Sequence, residues 1–325
     1  MSTLLVTGAT GFIGTHLVER LRTEPGCSIR ILARDKTRWD GAPGMDVVCG
    51  DILDRAAVDR AVQGVSGIFH LAGFVTRDPA QYGKLFDIHV RGTQNVCEAA
   101  VAQGKPRLVL FSSSGTIAVS RSPEMHTEDS SYANAVVGRW PYYLSKIFQE
   151  KLALNYSASQ GLPVIVLNPS LVLGPGDERL SSTSDVKMFI ERKITIRPAG
   201  GLNFVDVRDL ADVAVRAMKD GVLGRRYLIG GHNMTVPEFF SLLERVSGVR
   251  GPSMQMPESW SRFGATVLRT GGNWIGRPFP LDDISIEMSY RYWYLDNRRA
   301  KSELGLNPRA AQETLRDTVA FLRHS

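Results

Sequence analysis

The stretch Leu4-Leu5-Val6-Thr7-Gly8-Ala9-Thr10-Gly11-Phe12-Ile13-Gly14 runs from a short apolar strand through a glycine-rich turn into a helical pattern, where Ile13, Leu17, Val18 and Leu21 recur at helix spacing. Each glycine at such a junction has a task. One permits the tight turn, one lets backbone approach a pyrophosphate, and one lets the helix pack on the strand. The helix start adds unpaired N–H groups and the positive end of its dipole. Gly8, Thr10, Gly11, Phe12, Ile13 and Gly14 are therefore the candidate cradle of a dinucleotide. Its place on the first strand–helix junction of an alternating chain sets this turn apart from an ordinary tight one.

Outward from that turn the alternation continues. Ile29 to Leu32, Asp46 to Val48, Gly67 to Leu71, Leu108 to Phe111 and Val164 to Leu167 read as strands. Between them, Ala56 to Val62, residues 82–103 and Pro141 to Ser159 read as helices. Near-continuous apolar strands alternating with helices predict an α/β fold, a Rossmann-type doubly wound parallel sheet covered on both faces. After residue 170 the pattern changes. Gly, Pro and Ser cluster at 169–185 as a loop, Phe204-Val205-Asp206 precedes a helix over about 208–219, and Arg226 to Ile229 is a further strand. Short helices are expected at 236–246, 257–269, 282–289 and 309–323. This divides the 325 residues into a dinucleotide-binding domain, 1–169 plus about 203–231, and a smaller, mostly helical substrate domain, 170–202 and 232–325.

Composition excludes other classes. With 43% hydrophobic and 22% charged residues the chain is an ordinary globular one. Cys27, Cys49 and Cys97 are an odd set without C-x-x-C spacing, which argues against a disulfide framework or a zinc cluster and for a reducing, cytoplasmic setting. No basic leader and no apolar run of about 18 residues is present, so no membrane span is expected. The net charge of +6 invites a nucleic-acid reading, but no aromatic-basic motif or helix-turn-helix signal accompanies it. No metal site is expected. The Arg excess away from the cofactor reads as solvated surface.

The end of the second strand selects the dinucleotide. An acidic residue there binds ribose hydroxyls, whereas an Arg suits a 2′-phosphate. Arg34 occupies that place, with Lys36 and Arg38 close behind and Asp35 a competing ribose acceptor. A charged hydrogen bond contributes about 1.5–3 kcal/mol, enough for a roughly ten- to hundredfold preference. NADP(H) is favoured and NAD(H) possible. Asp51, followed by Ile52, stands where a side chain meets the adenine; capping of the next helix accounts for Asp51 equally well.

Tyr142-Tyr143-Leu144-Ser145-Lys146 places Tyr142 and Lys146 on one helix face at i and i+4. A neighbouring ammonium and a nicotinamide cation stabilise a phenolate and lower its pKa, so that the phenol exchanges a proton with a substrate oxygen near neutral pH. By itself the pair is also an ordinary surface pair. The run Ser112-Ser113-Ser114-Gly115-Thr116, ending the fifth strand where open sheets bind ligands, adds a hydroxyl to polarise a carbonyl.

With these motifs in hand, the chain resembles the extended short-chain dehydrogenases/reductases over nearly its whole length. The resemblance rests on the glycine turn, Asp51-Ile52, His70-Leu71-Ala72-Gly73, Gly92-Thr93-x-Asn95, the Ser run, Tyr142-x-x-Ser145-Lys146, Asn168-Pro169-Ser170, Leu173-Gly174-Pro175-Gly176 and Phe204-Val205-Asp206-Val207-x-Asp209. It is closest to dihydroflavonol 4-reductases and 3β-hydroxysteroid dehydrogenases. The resemblance implies that Ser114 is the catalytic serine, Tyr142 the acid/base, and Lys146 the residue that binds nicotinamide ribose and tunes Tyr142. It implies a cofactor lining of Leu71, Ala72, Gly73, Ser112, Asn168, Pro169, Ser170 and Leu171. Substrate is expected against Phe74, Gly115, Tyr143 and Ser170. His89 departs from the family, many of whose members carry Asn there.

The reaction expected is hydride transfer between NADPH and a ketone of a hydrophobic or aromatic small molecule. The aromatic density of residues 254–294 suits such a substrate, or else it forms the small domain's core. An NAD-dependent sugar-nucleotide epimerase is the alternative enzyme, and a non-catalytic dinucleotide sensor the alternative of another class. A monomer or a homodimer fits the resemblance equally.

Overall fold

Residues 2–35, 39–76, 78–261 and 283–324 are described in a computed structural model of the chain. Val6, Ile31, Phe69, Val109 and Ile165 have almost no exposure, which is why their strands read as unbroken apolar runs rather than alternating ones. The strands are β1 (Ser2–Thr7), β2 (Cys27–Ala33), β3 (Met45–Cys49), β4 (Gly67–His70), β5 (Arg107–Phe111), β6 (Val164–Pro169), β7 (Leu171–Leu173), β8 (Gly201–Asp206), β9 (Arg226–Ile229) and β10 (His232–Thr235). Seven form one parallel sheet in the order β3-β2-β1-β4-β5-β6-β9. The chain reverses direction across the sheet between β1 and β4, and a ligand crevice opens beyond the strand ends at such a point.

The helices are α1 (Phe12–Arg22), α2 (Arg55–Val62), α3 (Tyr82–Phe86), α4 (Gly92–Ala102), α5 (Asn134–Val137), α6 (Pro141–Gln160), α7 (Ser184–Ile190), α8 (Val207–Asp220), α9 (Val236–Ser247), α10 (Asp283–Ser289), α11 (Arg298–Leu304) and α12 (Ala311–His324). Leu17, Val18 and Leu21 of α1 join Leu210 and Ala214 of α8 in the core on one face of the sheet. Val58 and Ala61 of α2, Val96 and Ala100 of α4 and Ala153 of α6 fill the other. A third core gathers Phe189, Phe204, Phe239, Phe240, Leu243, Leu315 and Val319.

Four expectations change. The helix expected over 82–103 is three pieces: α3, a π-helical turn at Asp87–Arg91, and α4. The periodicity is continuous through the wide turn, so sequence alone does not reveal it. The loop over 169–185 contains β7, and Phe204-Val205-Asp206 belongs to a second sheet, β10-β8-β7, not to the large one. β7 and β10, with three and four residues, are too short to show a period, and β8 is buried along nearly its whole length and does not alternate. Helices α5, α7 and α11 were not expected. The helix expected over 257–269 lies outside the described residues from 262 onward, as do Phe263, Trp274 and Phe279. Among the described residues no helix is long and apolar enough to cross a membrane, and no His/Cys/Asp/Glu group is arranged to hold a metal ion.

Candidate active site

Gly8 adopts φ 74°, and a Cβ there would stand 2.7 Å from Ala72 N and from the Leu71 carbonyl carbon. A Cβ on Gly14 would stand 2.2 Å from Gly8 O. These two glycines seat the turn against the end of β4 and α1 against the turn. Gly11 is less crowded, with 3.4 Å to Gly8 O, and is the N-cap of α1 with no side chain capping the first N–H groups. Thr10 is exposed on the turn, and Phe12, Ile13 and Gly14 begin the helix. A bare helix start over a cradle that side chains would fill fits the pyrophosphate of a dinucleotide.

Arg34 is exposed just beyond β2, and its carbonyl accepts a hydrogen bond from Cys49 Sγ (3.3 Å). Lys36 and Arg38 lie outside the described residues. Asp51 follows β3, and its carboxylate accepts from Leu53 N (2.8 Å); the N-cap of α2 is Asp54. The capping alternative for Asp51 thus moves three residues on. Ile52 packs beside Gly92 at the start of α4.

At the end of β5 two of the three serines are committed. Ser112 Oγ donates to Glu150 Oε2 (2.7 Å), and Ser113 Oγ accepts from Gly115 N (3.3 Å). Ser114 opens a 3₁₀ turn, 5% exposed. Across from it α6 starts with Pro141, whose fixed φ and missing N–H suit a first helical position. Tyr142, Lys146 and Glu150 follow at i, i+4 and i+8. Lys146 Nζ donates to Phe111 O and to Gln149 Oε1, both at 2.9 Å. An ammonium has three N–H bonds, so one remains.

Behind these groups runs a buried polar chain that the sequence reading did not identify. Gln149 Nε2 donates to Thr93 Oγ1 (2.9 Å), Thr93 Oγ1 pairs with His70 Nε2 (2.9 Å), and His70 Nδ1 pairs with Thr7 Oγ1 (2.7 Å). Thr7 Oγ1 also accepts from Ala72 N (3.2 Å). Lys146 is thereby connected to the strand end that lines the glycine turn. Glu150 is the other hub. It accepts from Asn168 Nδ2 (2.8 Å), Thr116 Oγ1 (3.3 Å) and Tyr132 OH (3.1 Å), and lies 3.4 Å from Arg226 Nη1. Its spacing of eight from Tyr142 on one helix face was the available signal.

Burial dominates the titrations. It pulls Lys146 down to about 7, against the opposing pull of Glu150. It pushes the Tyr142 phenol up to about 12. The expected lowering of Tyr142 is therefore not supplied by the protein's own groups: desolvation of the phenolate sets the shift. His70 is drawn down to about 3 by burial and then by Lys146, so it is neutral near neutral pH.

The remaining expected residues gather around this centre. Asn168 Oδ1 and Ser170 Oγ are buried without a hydrogen-bond partner at the end of β6, beside Pro169 and Leu171. Phe74 lies beyond Leu71, Ala72 and Gly73, with Lys84 Nζ 4.8 Å from its ring centre. Gly115 is the seat of an aromatic group: a Cβ there would lie 2.2 Å from Tyr143 and 2.9 Å from Trp293. Tyr143 and Trp293 pack at 5.2 Å, and Trp140 stacks on Trp293 at 5.8 Å. Trp293 and Met288 join the core around Trp140, whereas Trp260 is 67% exposed, so the aromatic segment divides between core and surface.

The model of the NAD-dependent epimerase/dehydratase family matches residues 4–230. A dihydroflavonol 4-reductase-like protein of Synechocystis is 30% identical, covering 98% of this chain and 94% of its own. The sterol demethylase protein B of Methylococcus capsulatus is 29% identical, covering 99% and 98%. The crystal structure of gox2253 superposes with a TM-score of 0.84 at 28% identity, covering 100% of this chain and 98% of that one. The chain belongs to the NAD-dependent epimerase/dehydratase family, the extended branch of the short-chain dehydrogenases/reductases, and is an oxidoreductase-type enzyme dependent on NAD(P).

Proposed function

We propose that the protein reduces a ketone on a flat, hydrophobic small molecule at the expense of NADPH. The observation that carries this reading is the packing of α6 against the Ser114 turn, with Lys146 Nζ hydrogen-bonded to Phe111 O at the end of β5 and Tyr143 seated on Gly115. Two relatives named for a dihydroflavonol and a sterol, both fused-ring molecules, support the substrate class.

Gly8, Gly11, Gly14 and the bare start of α1 hold the pyrophosphate. Arg34, with Lys36 and Arg38, pairs with a 2′-phosphate, and the remaining N–H of Lys146 serves a ribose hydroxyl. When bound, the nicotinamide supplies the hydride. Ser114 donates a hydrogen bond to the ketone oxygen. Tyr142 then donates its proton to that oxygen. The burial that pushes Tyr142 up keeps the phenol protonated, as an acid working in the reducing direction requires. Lys146, poised near neutrality by its own burial, stabilises the phenolate left behind.

The test follows NADPH oxidation with a dihydroflavonol, a ketosteroid and a simple aryl ketone. The expected result is turnover of at least one, reduced about 10²- to 10⁴-fold in Tyr142→Phe while NADPH binding persists. Full activity of that variant overturns the mechanism. Purification with tightly held NAD, and turnover of a sugar nucleotide instead, would establish the epimerase.

A further inference from the structure

Residue 89, where the chain departs from its family, occupies the π-helical turn Asp87–Arg91. That wide turn carries His89 fully into the interior, 0% exposed. The imidazole is held from three sides. Phe74 N–H donates to Nε2 (3.1 Å), which makes Nε2 the acceptor and leaves the proton on Nδ1. Nδ1–H donates to Ser145 Oγ (2.8 Å), and Ser145 Oγ donates to the carbonyl of Tyr142 (2.7 Å). The ring itself meets the Tyr142 ring edge-on, with centres 5.7 Å apart. Every bond in this chain runs in one direction, and only the neutral imidazole satisfies it. Burial, then the charge of Lys146, then His70 keep His89 well below its ordinary range.

We propose that His89 is a positioning residue for Tyr142. It ties the cofactor-side strand end at Phe74 to the first turn of α6 and fixes Tyr142 through both its backbone and its ring. The phenol then meets the substrate oxygen in one orientation. This rests on the reading of Tyr142 as the proton donor.

Asn and Gln divide the imidazole into halves. Asn places a donor near Nδ1 and keeps the bond to Ser145, whereas Gln places an acceptor near Nε2 and keeps only Phe74. With a dihydroflavonol and NADPH, His89→Gln is expected to lower kcat about 10- to 100-fold with both KM values within about threefold, the mark of a misplaced group. His89→Asn recovers kcat to within about fivefold of wild type. Ser145→Ala reproduces the Gln variant and adds little to it in the double mutant, because both break one connection. An arm without substrate uses NADP⁺-saturated protein. Tyrosinate absorbance, read as the difference from Tyr142→Phe, isolates Tyr142 from the other tyrosines. His89→Gln is expected to shift that titration by about one unit, since a displaced phenol changes the burial that sets it, and His89→Asn to leave it in place. Tyr143 and His70, the other titratable groups nearby, are unchanged in all variants. An unaltered kcat and titration in His89→Gln, or equal losses in the Asn and Gln variants, overturns the proposal. If Tyr142→Phe is itself fully active, the mechanism fails, while the titration still decides whether His89 sets Tyr142.

Discussion

A single methyl group distinguishes the glycines of the nucleotide turn. At Gly14 a Cβ would lie 2.2 Å from Gly8 O and 2.8 Å from Ala9 Cα, both main-chain neighbours that cannot rotate away. At Gly11 the nearest atom is 3.4 Å off, at ordinary contact. Gly14→Ala is therefore expected to weaken NADPH binding at least tenfold and to lower the melting temperature, while Gly11→Ala leaves the fold's stability nearly unchanged; fluorescence titration and thermal unfolding of the two variants check this. Equal effects would refute the steric account. The spacing of the glycines was legible in sequence. Which of them has no room was not, because that depends on where the β4 end passes. Arg34 bears on cofactor choice at the same scale. If it pairs with a 2′-phosphate, Arg34→Ala lowers the NADPH-over-NADH ratio of kcat/KM about ten- to hundredfold, the worth of one charged hydrogen bond. An unchanged ratio would remove Arg34 from the cofactor site.

Helix α6 shows how far an amphipathic pattern reads. Tyr142 and Lys146 share a face by spacing alone, and Glu150 continues it, yet a carboxylate at i+8 looks in sequence like any charged helix residue. Only the meeting of β5, β6 and β9 makes it a hub for Ser112, Asn168 and Arg226. Gln149 escaped, and His89 stood out only as a departure from the family pattern, for the same reason: their partners Thr93, Phe74 and Ser145 lie on other segments. The parallel sheet and its helices were legible because apolar runs alternate with helical spacing, whereas the π turn hides inside a continuous helical pattern and β7 and β10 of the second sheet are only three and four residues long. The buried ammonium on α6 has a thermodynamic consequence. Lys146 titrates at about 7 in the folded chain against 10.5 ordinarily. Between those values the unfolded chain binds one more proton than the folded one, so this group makes stability rise with pH, by up to about 1.4 kcal/mol per unit. Below about 7 its penalty is fully present. Urea unfolding at neutral and alkaline pH is expected to show wild type gaining on Lys146→Met as pH rises. Parallel curves would mean that Lys146 is solvated.

Across the whole molecule, arginines that looked like solvated surface turn out to tie distant segments together. Arg291 is 7% exposed and bridges Glu258 and Glu287, Arg299 pairs with Asp129, and Arg309 pairs with Asp209. The junction of β8 and α8 is the most consequential of these ties. Asp206 caps α8 by accepting from Arg208 N (2.9 Å), pairs with the Arg208 guanidinium (2.7 Å), and accepts from Thr314 Oγ1 (2.9 Å) on α12. Arg208 reaches Asp317 of α12 as well (2.8 Å). Helix α8 belongs to the core on the large sheet, and α12 to the core around Phe204 and Phe239, so one carboxylate joins two cores. Burial alone would raise the Asp206 carboxyl, but Arg208 and Thr314 outweigh it and hold it below its ordinary value. A depressed carboxylate contributes stability above its unfolded pKa and loses it as pH falls through the folded one. Asp206→Ala should therefore cost about 3–5 kcal/mol at neutral pH, the range for breaking a buried pair. The gap from wild type should narrow as pH falls below the ordinary carboxylate value of 3.8, where the unfolded carboxylate takes up its proton first and the native one follows at lower pH. Chemical unfolding of both proteins across that range, with hydrogen exchange of α12 at neutral pH, tests the coupling. Loss of protection in α12 with the large sheet still protected would show that this junction, rather than apolar packing alone, holds the C-terminal helix in place. A pH-independent gap would show that the cap and the helix contact matter while the charge does not.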